Sequence, residues 1–403
     1  MKMKDLKDGW KPFFIFVILF EVVYMLIAII LGYPMLIIAD KIRMHKYFKN
    51  YVKSNKGEEK MKLLETKEGI KEFYLYNDEE VCVYEDKVVI GDKTLPVNEN
   101  ECVDYENGVL YKTIYDKEDK MNYTLSRFNG NSFVEDNFRY DSKLFFNPQQ
   151  FCSTEKTKDG VVKVAFMDNG TEHLFEFESK IKYYVLNFDI KSEILILISL
   201  HDDGLLFYTK TGERLWEYTV KEGWELSCRG KGIAIVDDVI VIPCEEDGQP
   251  MSVEGYCLLT GEKLWEVNDI DYCNHAYVMG PNKMLYALQS YYYEGGGVEM
   301  HLTKLNPFKG EVNRNVLEEG RYWADIHPLD TTVYGNKLFY VNENRKEGFT
   351  LGVVDLDRKE LIEDIALKAS AYATKAPIVT DNKIYVFIHC NKKNELRIYE
   401  NEY

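Results

Sequence analysis

The heptapeptides TGERLWE (211–217) and TGEKLWE (260–266) write one turn and one strand twice, with a period of 49 between Gly212 and Gly261. Glycine supplies the positive φ of a tight hairpin turn, and the leucine-tryptophan run supplies a strand. The same period brings Glu311 of KGEVNRN and Glu360 of RKELIED into register with Glu213 and Glu262. Upstream, Gly170, Gly130 and Gly91 continue the series at shorter steps of 42, 40 and 39. Trp216, Trp265 and Phe175 stand at equivalent places, where a large ring would fill the wedge between neighbouring sheets.

A second series of strands precedes these turns, including GVLYKTIYD at Gly108, EILILISLHD at Glu193, VIVIPCEED at Val239 and KIYVFIHC at Lys383. These runs are β-branched or aromatic and lack a helical period, so residues 68–403 read as all-β. Several strands per 40–50 residues is the signature of a β-propeller, in which each blade buries its faces against its neighbours. A sandwich would not hold four glutamates in register. The length fits seven or eight blades, with eight preferred. The last blade is expected to close by pairing an N-terminal strand such as KEFYLYN with the C-terminal ELRIYE, which removes open sheet edges.

The TG turn followed by an LW strand resembles the repeat of quinoprotein-type propellers, a family that includes pyrroloquinoline-quinone dehydrogenases and cofactor-free propellers. The resemblance implies the fold. Its enzymes hold a calcium-bound quinone over the propeller centre and often carry adjacent cysteines. No adjacent cysteine pair occurs here, and no residue set matches the calcium ligands, so the resemblance is to the cofactor-free members.

Ahead of the body, residues 13–39 form an apolar run with Glu21 as its one ionisable group. About 20 apolar residues cross a bilayer, so a single transmembrane helix is expected here, after a short basic tail at 1–12. The run is too long for a signal peptide and lacks a small-residue cleavage site. Ionised Glu21 would cost about 2.5–3.5 kcal/mol at mid-membrane, which its apolar neighbours outweigh. It reads as a tolerated, protonated or snorkelling carboxylate, or as a partner-helix contact or proton site. Residues 40–67 read as a basic linker or an amphipathic helix. The expected localisation is therefore a single-pass membrane protein, with the bilayer as one partner and the side of the propeller open.

Charge separates the two parts. Residues 1–60 carry 11 Lys+Arg and 6 Asp+Glu, whereas the whole chain has 50 and 67, so the body is acidic. Such a body repels phosphates, which excludes nucleic acid as a partner. The eight cysteines show no CxxC, and the seven histidines show no HExxH or HxxxH, so zinc and a disulfide framework have no motif behind them. The glycines of EGGG (294–297) precede a strand and read as a hairpin, not a phosphate cradle. No catalytic, cofactor-binding or metal-binding constellation stands out.

Acidity does recur in the hairpins after the second-series strands: DKED (116–119), HDDG (201–204), CEEDG (244–248), YYYEGGG (291–297) and ENRKEG (343–348). Read as blades, these hairpins share one rim, with Asp202, Asp203, Glu245, Glu246, Asp247, Tyr291, Tyr292 and Tyr293 as candidate binding residues. Tyrosine brings contact area with a polar tip, and the carboxylates favour a basic protein or peptide. Ordinary solvated hairpins have the same composition. The expected function is a membrane-anchored binding scaffold without a cofactor, calcium on the rim being the one alternative ligand. The competing expectation is an enzyme, a hydrolase, lyase or quinone-dependent dehydrogenase, working in the propeller channel.

Overall fold

Eight antiparallel sheets follow one another along the described chain, each built from strands consecutive in sequence except the last, which also takes in Leu63–Glu68. They occupy residues 72–96, 101–141, 153–178, 183–219, 225–267, 278–319, 331–366 and 371–400, and are called the first to eighth sheets below. The structure is a computed structural model. It describes residues 61–403 apart from 107–108, 116–121, 142–152, 158, 169–170, 182, 190–191, 200, 202, 293–297, 320–329, 345–347, 368–370 and 391–392. The all-β reading holds among these residues, which contain no α-helix and have 3-10 turns at Ser227–Gly230 and Pro281–Lys283.

The second strand of each sheet explains the long apolar runs of the sequence. In the fourth sheet, Ile194–Ser199 is buried at every position. Successive side chains of a strand leave by opposite faces, so a run without polar alternation requires cover on both sides. Leu195 and Leu197 pack against Val162 and Val164 of the third sheet, while Ile196 packs with Ile240 and Ile242 of the fifth. Equivalent layers join the fifth sheet to the sixth through Val241, Val253 and Leu285, and the sixth to the seventh through Leu302 and Tyr340. Phe339, Val353, Ile384 and Val386 join the seventh to the eighth. Val81, Val88 and Leu110 join the first to the second, and Phe73, Cys82, Tyr385 and Phe387 join the eighth back to the first. Several opening strands of successive sheets also run beside one another, as Glu72–Tyr76 does beside Glu101–Glu106 and Val278–Met279 beside Thr331–Tyr334.

The heptapeptide repeat becomes a packing rule. The indole of Trp216, in the last strand of the fourth sheet, lies parallel to Phe207 at a centroid distance of 3.7 Å, and its Nε1–H donates to the Leu258 carbonyl at 2.8 Å. Trp265 repeats the indole bond one sheet later, donating to the Pro307 carbonyl at 2.7 Å, with Gly255 opposite it in the register where Trp216 has Phe207. Each ring also covers the turn glycine of the next sheet. A Cβ on Gly261 would stand 2.5 Å from the Trp216 ring and one on Gly310 would stand 2.7 Å from the Trp265 ring, while Phe175 covers Gly212 in the same way. With φ of 85°, 71° and 68° at Gly212, Gly261 and Gly310, these turns demand glycine twice, for conformation and for space. The four glutamates of the repeat are exposed, and their register reflects the turn backbone: the Glu213 carbonyl accepts from Thr209 N–H and the Glu262 carbonyl from Cys257 N–H, both at 2.9 Å.

Two expectations are corrected. The strand beside the C-terminal Glu395–Glu400 is Leu63–Glu68, in antiparallel register with Lys67 opposite Leu396. KEFYLYN instead supplies Glu72–Tyr76, which opens the first sheet. Met61–Tyr403 separates as a unit from Met1–Lys60, and Met61 is buried in the core. The transmembrane, single-pass membrane assignment is also withdrawn. Among the described residues no helix is long and apolar enough to cross a membrane, which says nothing of a β-barrel. The run 13–39, with Glu21, the tail 1–12 and the stretch 40–60, lies outside the described residues. Hydropathy alone carried that assignment, and the apolar runs the structure does describe are strands that pack sheet against sheet.

Candidate functional site

An antiparallel meander places the hairpin between second and third strands at the same end of a sheet as the connection to the next sheet. Backbone bonds tie the two together: Val97 N–H donates to Asp86 O at 3.0 Å, Val220 N–H to Asp203 O at 3.1 Å and Gly69 N–H to Asn394 O at 2.9 Å. This end carries the acidic hairpins.

Its candidate residues have different fates. Asp203 is exposed, yet its carboxylate accepts from the Ser199 hydroxyl and its N–H donates back to that hydroxyl at 3.0 Å, which closes the hairpin. Asp202 and Tyr293 lie outside the described residues. Glu246 is exposed, and Asp247 and Gly248 take φ of 50° and 73°, the paired left-handed geometry of a two-residue hairpin turn. Glu245 is not a free rim charge. Its carboxylate is bonded by His275 Nδ1 at 2.6 Å, with 13% of the side chain exposed. Glu225 lies directly opposite it in the strand register, a like-charge pairing that the imidazole contact offsets. Tyr291 and Tyr292 fall in the strand Leu285–Tyr292, opposite Glu299 and Val298, instead of in the loop.

What the sequence did not announce is the connection from the fifth sheet to the sixth, residues 268–277. His275 fastens it to the fifth sheet, and Arg314 of the sixth donates from Nη1 to the Asp271 carbonyl at 2.8 Å. Cys273, Asn274 and Tyr277 are its buried members, with Asn274 Nδ2 donating to the Tyr277 hydroxyl at 3.2 Å. Ile270, Tyr272 and, just beyond, Met279 remain exposed. Cores normally take such side chains; Ile270 and Tyr272 stand on the anchored loop with Asp269 and Asp271, whereas Met279 pairs with Leu285 at the other end of the sixth sheet. The opening strand of the fifth sheet is interrupted on this side: Glu225–Leu226 and Ala234–Val236 both pair with Val239–Glu246, and the break faces Pro243, which has no N–H for the ladder.

Compared with known family models and with curated proteins, the chain matches none.

A second constellation lies on the opening strands. Glu72 and Tyr74 come from the first sheet, Asp104 from the second, and Lys375 from the gap between Ala371–Thr374 and Ile378–Val379 in the eighth. The Tyr74 hydroxyl donates to Asp104 Oδ1 at 3.1 Å, and Lys375 Nζ donates to Glu72. Burial pushes the Asp104 carboxyl above its ordinary range although the Tyr74 bond pulls the other way. Burial, then the charges of Asp104 and Glu72, raise the Tyr74 hydroxyl, and burial lowers nearby His389. Among the described residues no three His, Cys, Asp or Glu side chains are grouped so as to hold a metal ion.

Proposed function

We propose that the chain is an eight-bladed β-propeller working as a binding scaffold, and that the rim of the fifth and sixth blades receives a basic protein or peptide. The closed arrangement is supported by the apolar layers that join the first sheet to the second, link the third through the eighth in turn and return the eighth to the first, and by opening strands that run side by side. The resemblance of the repeated turn to cofactor-free quinoprotein-type propellers agrees with it. The observation that carries the binding reading is the anchored loop exposing Ile270 and Tyr272 at the end that bears the acidic hairpins, because apolar contact gives affinity and a rim of one sign gives orientation and encounter rate.

The experiment follows from the chemistry. Partners are cross-linked to the purified chain across a salt series, beside a variant carrying Glu246→Gln, Asp247→Asn and Asp269→Asn. Capture by the native chain should weaken as salt rises, and the variant should lose about tenfold in affinity at low salt with its thermal midpoint nearly unchanged, since exposed charges contribute little to folding. Tyr272→Ala should slow no encounter but speed dissociation. Capture indifferent to salt and to both changes would remove this rim as the interface.

A further inference from the structure

We infer that the cluster on the opening strands of the eighth, first and second sheets is a binding site for a primary ammonium group, which Lys375 occupies as an internal stand-in. The Lys375 ammonium lies 5.5 Å from the Phe387 ring centroid and 5.9 Å from that of Tyr74, and it donates to the Glu72 carboxylate. Aromatic faces with a carboxylate are the elements that recognise an alkylammonium ligand. Glu72 is the carboxylate that pairs with the ammonium, and Asp104, which accepts from the Tyr74 hydroxyl, fixes the aromatic wall beside it.

Position makes the lysine replaceable. Lys375 belongs to no strand and sits before Pro377 in the gap that splits the opening strand of the eighth sheet. Its side chain is 44% exposed and that of Glu72 is 31% exposed, so the ion pair stands at the border of solvent, where an incoming amine can compete for it. Tyr74 and Phe387 are held independently of the lysine: Tyr74 by its hydroxyl bond to Asp104, and Phe387 by the apolar layer between the eighth and first sheets. The cage therefore persists when the lysine swings out. A free polyamine and the lysine side chain of a peptide present the same ammonium on the same alkyl stem. The inference deepens the scaffold reading by naming a ligand class, but its contacts do not depend on the rim.

The probe is n-propylammonium, which replaces the three methylenes and the ammonium that Lys375→Ala removes. In the full chain, Lys375→Ala should lower the thermal midpoint and n-propylammonium chloride should raise it again, binding the variant about tenfold or more tighter than the native chain, where Lys375 competes. Equal concentrations of n-propanol or sodium chloride should do neither. The gain should disappear in Lys375→Ala with Glu72→Gln. Equal binding to native chain and variant, or a gain that survives Glu72→Gln, overturns the assignment. The native chain gives a test that does not need the alanine variant to fold: spermidine and the tripeptide Gly-Lys-Gly are titrated by calorimetry up to about 10 mM, the weak end of specific affinity. Binding of spermidine identifies a polyamine site and binding of the tripeptide a protein side-chain site, each weakened about tenfold by Glu72→Gln. Binding of neither overturns the inference while leaving the rim reading standing, because rim capture is measured with Lys375 and Glu72 intact.

Discussion

Replacing Trp216 by Ala should lower the free energy of unfolding by about 3 kcal/mol, the lower part of the range for truncating a core aromatic, because the indole is only partly buried. Three losses add. The Phe207 ring loses a parallel partner at 3.7 Å, the Leu258 carbonyl loses its indole donor, and the turn at Gly261 loses the plate that covers it. Trp265→Ala should cost about as much, since the same carbonyl bond and glycine contact recur against Pro307 and Gly310. The two rings bridge different pairs of sheets, so their costs should add within about 0.5 kcal/mol in the double variant. From the other side of the contact, Gly261→Val would force a β-branched residue to φ of 71° and drive its Cβ into the Trp216 ring. Urea denaturation with the slope held constant measures all four variants. A loss below about 1 kcal/mol for either tryptophan would mean that the rings do not clamp adjacent sheets and that the period of 49 has another cause.

That clamp is why part of the architecture was legible. Gly212, Gly261 and Gly310 serve both a left-handed backbone and a ring lying against them, so the motif survives in recognisable form. Where one demand lapses the motif blurs: nothing lies within 4 Å of a Cβ on Gly130, and Phe175 stands in for tryptophan over Gly212. The closing strand was missed for an equally physical reason. Leu63–Glu68 is exposed at nearly every position, so LLETKE shows no alternation, whereas EFYLY looked like the better strand and is one in another sheet. VIVIPCEED reads as a strand in sequence and is one, and the opening strand gives way opposite Pro243, which has no N–H for the ladder. The rim was half legible. Acidity in the hairpins can be read residue by residue, but the His275 contact that takes Glu245 out of the rim joins positions 30 apart. Glu72 and Lys375 are separated by 303 residues and neither carries a local signal, so their meeting depends on the return of the eighth sheet to the first.

Glu80 should make that return sensitive to acid. It lies in the second strand of the first sheet and gathers donors from the eighth: Lys67 Nζ at 2.6 Å, Lys383 Nζ at 2.7 Å and the Tyr385 hydroxyl at 3.0 Å. The same chemistry recurs between the fourth and fifth sheets, where Glu254 accepts from Tyr218 at 2.8 Å, Tyr256 at 2.9 Å and Lys263 at 2.8 Å. For Glu80, burial alone would raise the carboxyl, but the Lys383 and Lys67 bonds outweigh it and hold the group at about 2 against an ordinary 4.5. A carboxyl held below its unfolded value stabilises the fold above that unfolded value, and the contribution drains away as pH falls from about 4.5 to about 2. The shift corresponds to about 2–3 kcal/mol, discounted because one fifth of the side chain is exposed. Glu80→Gln should therefore be less stable than the native chain by that amount near neutral pH, and the two stabilities should converge as pH approaches 2. Hydrogen exchange gives the location: the amides of Leu63–Glu68 should lose protection first in the variant, since Lys67 is the donor that this strand contributes to the lock. A native advantage that persists undiminished at the lowest pH would show that packing of Phe73, Tyr385 and Phe387 holds the eighth sheet to the first without the ionic lock.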